Sequence, residues 1–283
     1  MKLPDTKIIL FNIAAGLVSV AAIVAAVRSF LITPGVAPCS ERYASGTVFA
    51  LEREGVIQTP VDLQARLGGR DVGLVENAVV SKAKIGPVPV ALSVNLPKGS
   101  ASPHSSATPT GGVSFSWEPK SIQAKTSACL AYSVLLPEGF EFGRGGVLPG
   151  IRGADADRQG QDGFISQLVW RAGGRVGVTN RVTSNSQLRV FPYAQENAVF
   201  PRGRWTKVEQ EVVLGAPKET KGVVRVWIDG RLVLDVNAPV LRGKPDVAIS
   251  GVAVDAFYSG DDASGGAPAD TRLSLSPLEI RWQ

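Results

Sequence analysis

Histidine and cysteine are scarce in this chain: of 283 residues one is histidine and two are cysteine. The lone His104 lies in GSASPHSSATPTGG, a stretch with loop composition, which argues against a His-based triad or a His-rich metal site. Cys39 and Cys129 stand 90 positions apart and have no metal-ligand spacing. Two readings of the pair stay open. A Cys39–Cys129 disulfide is available outside the cytosol, and a free Cys129 in a core strand would act as a small hydrophobe. No segment repeats at a fixed period, which excludes a propeller or a β-helix. No nucleic-acid-binding motif is present. The net charge of +5 therefore points first to other acidic polymers, or to an ordinary solvated surface.

Long charged or polar tracts are also missing at the start. Residues 8–27, IILFNIAAGLVSVAAIVAAV, hold no charge, and the apolar zone runs on past Arg28 to Ile32. Roughly 20 apolar residues span a bilayer as a helix. Lys2 and Lys7 precede the run, so the positive-inside rule keeps the tip cytoplasmic and sends the remainder across. A cleaved signal peptide has a shorter apolar core and a small-x-small site. Here Pro38 follows Ala37, the best candidate end, which favours an uncleaved anchor. The expected organisation is a cytoplasmic tip and transmembrane anchor over 1–32, a stalk over 33–44, an N-terminal β segment with extra strands and a loop over 45–112, and a main domain over 113–283.

Glycine and proline are plentiful, at 31 and 19, and they punctuate short period-two runs. Strands are expected at Thr47–Leu51, Val72–Val80, Val88–Leu96, Val113–Trp117, Ala128–Leu136, Phe164–Arg171, Gln187–Phe191, Trp205–Leu214, Val223–Asp229, Arg231–Val236, Val247–Tyr258 and Leu273–Trp282. Residues 61–67 suit two helical turns ending at Gly68, and Asp229-Gly230 is a strong hairpin signal. Pro137 to Gly153 reads as a glycine-rich loop between two strands. The fold class is all-β, a two-sheet antiparallel jelly-roll sandwich behind one N-terminal transmembrane helix. Asp155, Asp157, Asp162 and the pair Asp261-Asp262 raise a structural calcium. The spacing lacks the full EF-hand ligand series, so no cofactor is expected.

Several ordered pieces carry a resemblance. YSVLLPEGFEF at 132–142, GGVLPG at 145–150, QLVWR at 167–171, GRW at 203–205, GVVRVWIDG at 222–230 and FYSGDD at 257–262 are together similar to the family-14 polysaccharide lyases. These are alginate and glucuronan lyases with a concanavalin-like jelly roll. The resemblance implies β-elimination on a uronic-acid polymer, which needs a cation or amide at the carboxylate, a base and an acid. It also shows departures. The family's loop lysine falls on Val147, its strand serine on Ile165 and its strand arginine on Gln167, while its paired tyrosines align with Arg189 and Phe191. Valine and phenylalanine transfer no proton. Arg144, Arg152, Gln167, Arg171 and Arg189 remain as substrate-binding candidates, and Tyr193 with Arg189 as the catalytic ones. The expected function is a membrane-anchored extracytoplasmic protein that binds an acidic, uronate-containing polysaccharide, with family catalysis lost or altered. The alternatives are an active lyase and an envelope structural or assembly protein.

Overall fold

The computed structural model describes residue 19 and residues 36–106, 108–154, 162–216, 219–259 and 265–283. The expected anchor over 8–32 lies outside the described residues, as do Asp155, Asp157, Asp261 and Asp262. Among the described residues no helix is long and apolar enough to cross a membrane.

In chain order the strands are β1 (Ser45–Phe49), β2 (Glu52–Arg53), β3 (Val56–Ile57), β4 (Asp71–Val72), β5 (Ala78–Lys82), β6 (Val90–Leu96), β7 (Val113–Trp117), β8 (Ser127–Leu135), β9 (Gly145–Ala154), β10 (Gly163–Arg171), β11 (Arg175–Ser184), β12 (Gln187–Val199), β13 (Trp205–Leu214), β14 (Lys221–Ile228), β15 (Arg231–Val240), β16 (Ala248–Tyr258), β17 (Thr271–Leu275) and β18 (Leu278–Trp282). Among the described residues they form two large antiparallel sheets. The back sheet has nine strands in the order β15-β14-β13-β8-β17-β6-β5, with β18 on β8 and β1 on β18. The front sheet has seven, β12-β11-β10-β9-β16-β7-β4. The expected sandwich of two antiparallel sheets is present.

Period-two alternation explains the core. On β8, Ala128, Leu130, Tyr132 and Val134 join the main hydrophobic cluster, and on β10 Phe164, Leu168 and Trp170 join it from the other sheet. Ser166 shares that inner face, and its oxygens accept both bonds from the Gln210 amide of β13, at 3.0 and 2.9 Å. A buried polar pair of this kind fixes how the sheets face each other, because a slip would strand the amide.

The glycine-rich loop expected over 137–153 ends at Arg144, and Gly145–Ala154 is a strand between β10 and β16. Its glycines serve close packing. A Cβ on Gly146 would lie 1.9 Å from the Trp170 ring, and one on Gly153 would lie 2.2 Å from the Phe164 ring. Pro149 is tolerated because the register shifts there, between the Gln167 and Val169 pairs. A second strand, β11, was not expected, and it separates β10 from β12. The expected strand Val72–Val80 is broken by a helical turn over Leu74–Asn77, where Gly73 takes φ 78°.

Residues 38–283 form one compact unit. The segment 45–112 is built into both sheets: β5 and β6 extend the back sheet beside β17, and β4 pairs with β7 in the front. Residues 38–43, expected as stalk, are fastened to the outer face of the back sheet. The disulfide Cys39–Cys129 is formed, with the Cα atoms 5.6 Å apart. Around it, Ser40 N donates to Glu209 Oε2 at 2.9 Å, while Arg42 and the Tyr43 hydroxyl both reach Glu211 Oε1 at 2.8 Å. Burial first, then the Glu211 contact, push the Tyr43 phenol up to about 12.

Candidate functional site

The front sheet's outer face is set by strand β10. Phe164, Ser166, Leu168 and Trp170 point inward, so Ile165, Gln167, Val169 and Arg171 point outward. Residues directly opposed on antiparallel neighbours share a face. Arg152, Ile165, Arg181 and Val190 form one row across β9, β10, β11 and β12. Gly150, Gln167, Thr179 and Pro192 form the next. Val147, Val169, Gly177 and Ala194 form a third, with Phe257 of β16 beside Val147. Arg171 follows at the strand end opposite Gly145, near the Arg144 loop.

Gln167 and Arg171 therefore share a face, as the period of β10 alone implies, and Arg152, expected beside the glycine-rich loop, stands on the same face of β9. Arg189 and Tyr193 do not join them. They oppose Val182 and Val178, both core residues, so they lie on the other face of β12. Phe191 shares that face, and the Arg189 guanidinium sits 6.0 Å from its ring centre. The intervening strand β11 is the reason for the difference. The strand that follows β10 presents Gly177, Thr179 and Arg181 outward, in place of Arg189 and Phe191.

At the lysine position the structure holds an apolar patch, Val147 against Val169 and Phe257. None of these atoms can give or take a proton. A buried titratable group of this region is Asp255, which the sequence analysis does not single out. It is the one charged residue in the apolar run Val252–Tyr258, and that was the available signal. Asp255 is 6% exposed and accepts a hydrogen bond from Gln167 Nε2. Burial raises its pKa. Hydrogen bonds from Ser114 and Gln167 and the charges of Arg181 and His104 partly offset this. Val254 and Ala256 face the core, so Asp255 points outward like Gln167 and holds its amide from the side, across Gly150 of β9.

A carboxyl whose folded pKa is raised binds its proton more tightly in the native than in the unfolded chain. Its contribution to stability is present at low pH and is lost as pH rises through the folded pKa. The Asp255→Asn variant keeps the shape and offers Gln167 an oxygen. Denaturant unfolding from about pH 4 to about pH 7 should show the variant gaining on the wild type as pH rises. Parallel curves would mean that Asp255 is not held in the raised state.

The face is basic but not uniformly free. Arg152 donates to Ser116 Oγ at 2.8 Å and pairs with Glu118. Arg181 is exposed, and Arg171 Nε is buried without a hydrogen-bond partner. Arg144 lies at the opposite end of β9 from Arg152, beside Lys98. Asp162, raised as a calcium ligand, is occupied by Lys244 Nζ and by Asn185 N at 2.6 Å. Among the described residues the one cluster with ligand-like proximity is Cys39, Cys129 and Glu209. Its sulfurs are bonded to each other and offer no thiolate.

An antiparallel two-sheet sandwich is also the frame of several solved polysaccharide lyases. Structures of such enzymes are similar over most of the chain. The PL-14 alginate lyase of Aplysia kurodai superposes with a TM-score of 0.63 at 20% identity, covering 75% of this chain and 89% of that one. The alginate lyase vAL-1 from Chlorella virus gives 0.62 at 17%, covering 84% and 100%. A mutant of alginate lyase Aly36B bound to an alginate trisaccharide gives 0.60 at 16%, covering 85% and 99%. No curated protein sequence matches the chain. The polysaccharide lyase 14 family matches residues 87–276, more than half of the sequence, and the chain belongs to that family.

Proposed function

We propose that this chain is a membrane-anchored extracytoplasmic protein whose lyase-fold domain binds a uronate-containing polysaccharide and has lost or altered the family's elimination chemistry. The observation that carries this reading is the apolar row Val147, Val169 and Phe257 where a proton-transfer group is needed, set among Arg152, Gln167, Arg171 and Arg181. Guanidinium and amide groups can hold a carboxylate and sugar hydroxyls without moving a proton. A general acid or base typically contributes 10²–10⁴-fold, so losing these groups removes most of the rate. The complex of a related fold with an alginate trisaccharide supports an acidic polysaccharide as the ligand. The formed Cys39–Cys129 disulfide supports an oxidising compartment, and the uncharged run 8–27 supports an anchor.

A working lyase is the second reading, favoured by one observation: Asp255, a buried carboxyl with a raised pKa, lies on the same outer face as Gln167 and accepts its amide hydrogen bond. One experiment separates the two. The full chain, solubilised in mild detergent, is passed over immobilised alginate and polyglucuronate. Retention at low salt and release at roughly 0.5 M salt are expected, with no growth of the unsaturated uronate's ultraviolet absorbance in the flow-through. No retention on either polymer refutes the binding reading, and growth of that absorbance establishes the second one.

A further inference from the structure

Two cavities share one wall, Arg152: the first lies on the front face, the second at the edge of that sheet beside the end of β7, where the inward-facing Trp117 closes it. The first, of 150 Å³, is lined by Arg152, Asp162, Ile165, Arg181, Thr183 and Leu188 among others. The second, of 380 Å³, is lined by Arg66, Arg70, Ser116, Trp117, Glu118 and Arg152 among others. Together they make a path from β11 across Arg152 to the edge of β7. Four arginines line it against two acids, and each acid is already ion-paired, Glu118 with Arg152 and Asp162 with Lys244. The charges of Arg66, Arg70 and Arg181 are not cancelled by those pairs.

Two of these cations come from residues that precede the family-matched region 87–276. Local sequence explains their placement. Thr59 and Asp62 form a reciprocal capping box with Pro60 at the first helical position, which starts the helix Pro60–Arg66. Gly68 and Gly69 then take φ 70° and 69°, positions a side chain resists, and turn the chain back. Asp71 and Val72 pair with Phe115 and Ser114 of β7, which brings Arg70 to the sheet edge. Arg66 is held by its bond to Ala50 O at 2.9 Å and by packing 5.0 Å from the Phe49 ring centre, neither of which neutralises it. Trp117, half-buried and 5.5 Å from Phe49, supplies an apolar wall.

We propose that Arg66, Arg70, Arg152 and Trp117 form a subsite for a carboxylate-bearing sugar, which extends the binding face beyond the family core. This rests on the binding reading above and adds a direction: a long chain lies across the strands from Arg181 to Arg70. Neighbouring strands stand about 4.8 Å apart, so Arg152 and Arg181, two strands apart, are separated by about 10 Å at the backbone. Arg70 precedes β4, four strands from Gln167 and about 19 Å away by the same spacing, so a polymer running across the strands reaches it while an oligomer centred on Gln167 falls short.

The test compares Arg70→Glu with Arg53→Glu in the full chain. Arg53 is a surface residue whose side chain is 73% exposed, and the same substitution there changes net charge equally. Both variants are checked for an unchanged melting temperature. Affinity is measured for long polyuronate and for a uronate tetrasaccharide. Arg70→Glu should weaken the long chain about tenfold, or about 1.4 kcal/mol. It should leave the tetrasaccharide unchanged, and Arg53→Glu should do little to either. Equal losses from the two variants would reduce the effect to net charge and overturn the subsite. So would equal loss on both ligands, or no loss from Arg70→Glu while wild type binds. If wild type itself fails to bind either ligand, the binding reading fails and the subsite with it.

Discussion

Removing the Cys39–Cys129 disulfide, by serine at both positions, should lower stability by about 4–5 kcal/mol and the melting temperature by roughly 10–20 °C. The bond closes a loop of sequence separation 90, and a crosslink of that span removes much of the unfolded chain's freedom. The native side adds to the loss. Both cysteines are fully buried in a small cluster with Tyr43 and Trp227. Without the bond, the short helix Cys39–Arg42 keeps its polar contacts and the packing of Arg42 5.8 Å from the Trp227 ring centre. Its release would uncover Glu209 and Glu211, each 1% exposed. Arg225 would still face Glu211 at 3.1 Å, but Arg42 and the Tyr43 hydroxyl would leave it. Thermal unfolding with and without reductant is the measurement, beside the double-serine variant. A shift under 3 °C in both would mean that the fastening contributes little. Polyuronate retention at low temperature should survive, because the bond lies on the back sheet and the binding face on the front.

Much of the architecture was legible in the sequence because most strands alternate cleanly. The Asp229-Gly230 hairpin is formed between β14 and β15, with φ of 50° and 77° at the two residues, as a type I′ turn demands. The helix expected over 61–67 is present at Pro60–Arg66, since its cap residues state its start. Of the strands not expected, β2 and β3 are two residues each, and the two long ones, β9 and β11, were hidden for different reasons. β9 reads GGVLPGIRGA, and glycine and proline usually mark turns; here they mark crowding by Trp170 and Phe164 and a register shift. β11 reads RVGVTNRVTS, whose alternation of Val176, Val178 and Val182 was available but is interrupted by Asn180 inside the core.

The site followed from those strands. The outward face of β10 is readable from its own period, which alone puts Ile165, Gln167 and Arg171 together. Which residues oppose them depends on pairing, and an unseen strand shifts every partner by one element. Arg181 and Asp255 are therefore absent from the sequence candidates, and Arg189 and Tyr193 lie on the opposite face of β12 from Val190 and Pro192. Arg66 and Arg70 reach the sheet through β4, only two residues long, which no periodicity announces.

Replacing Gly146 by alanine should cost about 3 kcal/mol, the upper end of the usual overpacking range, and about 6–12 °C in melting temperature. The added Cβ would stand 1.9 Å from Trp170 Cζ2 and 2.5 Å from the Phe257 carbonyl oxygen. Neither neighbour yields easily. Trp170 is 1% exposed, edge-on to Phe140 and Tyr258 at 5.7 and 5.4 Å, and its indole N–H donates to Phe142 O at 3.0 Å. Phe257 O belongs to β16, whose backbone pairs with β9 on one side and β7 on the other. The strain would fall on the pairing of Val147 with Val169 and Phe257, the apolar row on which the proposed binding role rests. Loss of stability and loss of polyuronate affinity should therefore appear together. Gly139→Ala is the matched control, because nothing lies within 4 Å of the new methyl there. Its expected effect is within about 0.5 kcal/mol. Equal melting curves for the two variants would show that β9 can move away from Trp170, and the close-packing account of its glycines would fall.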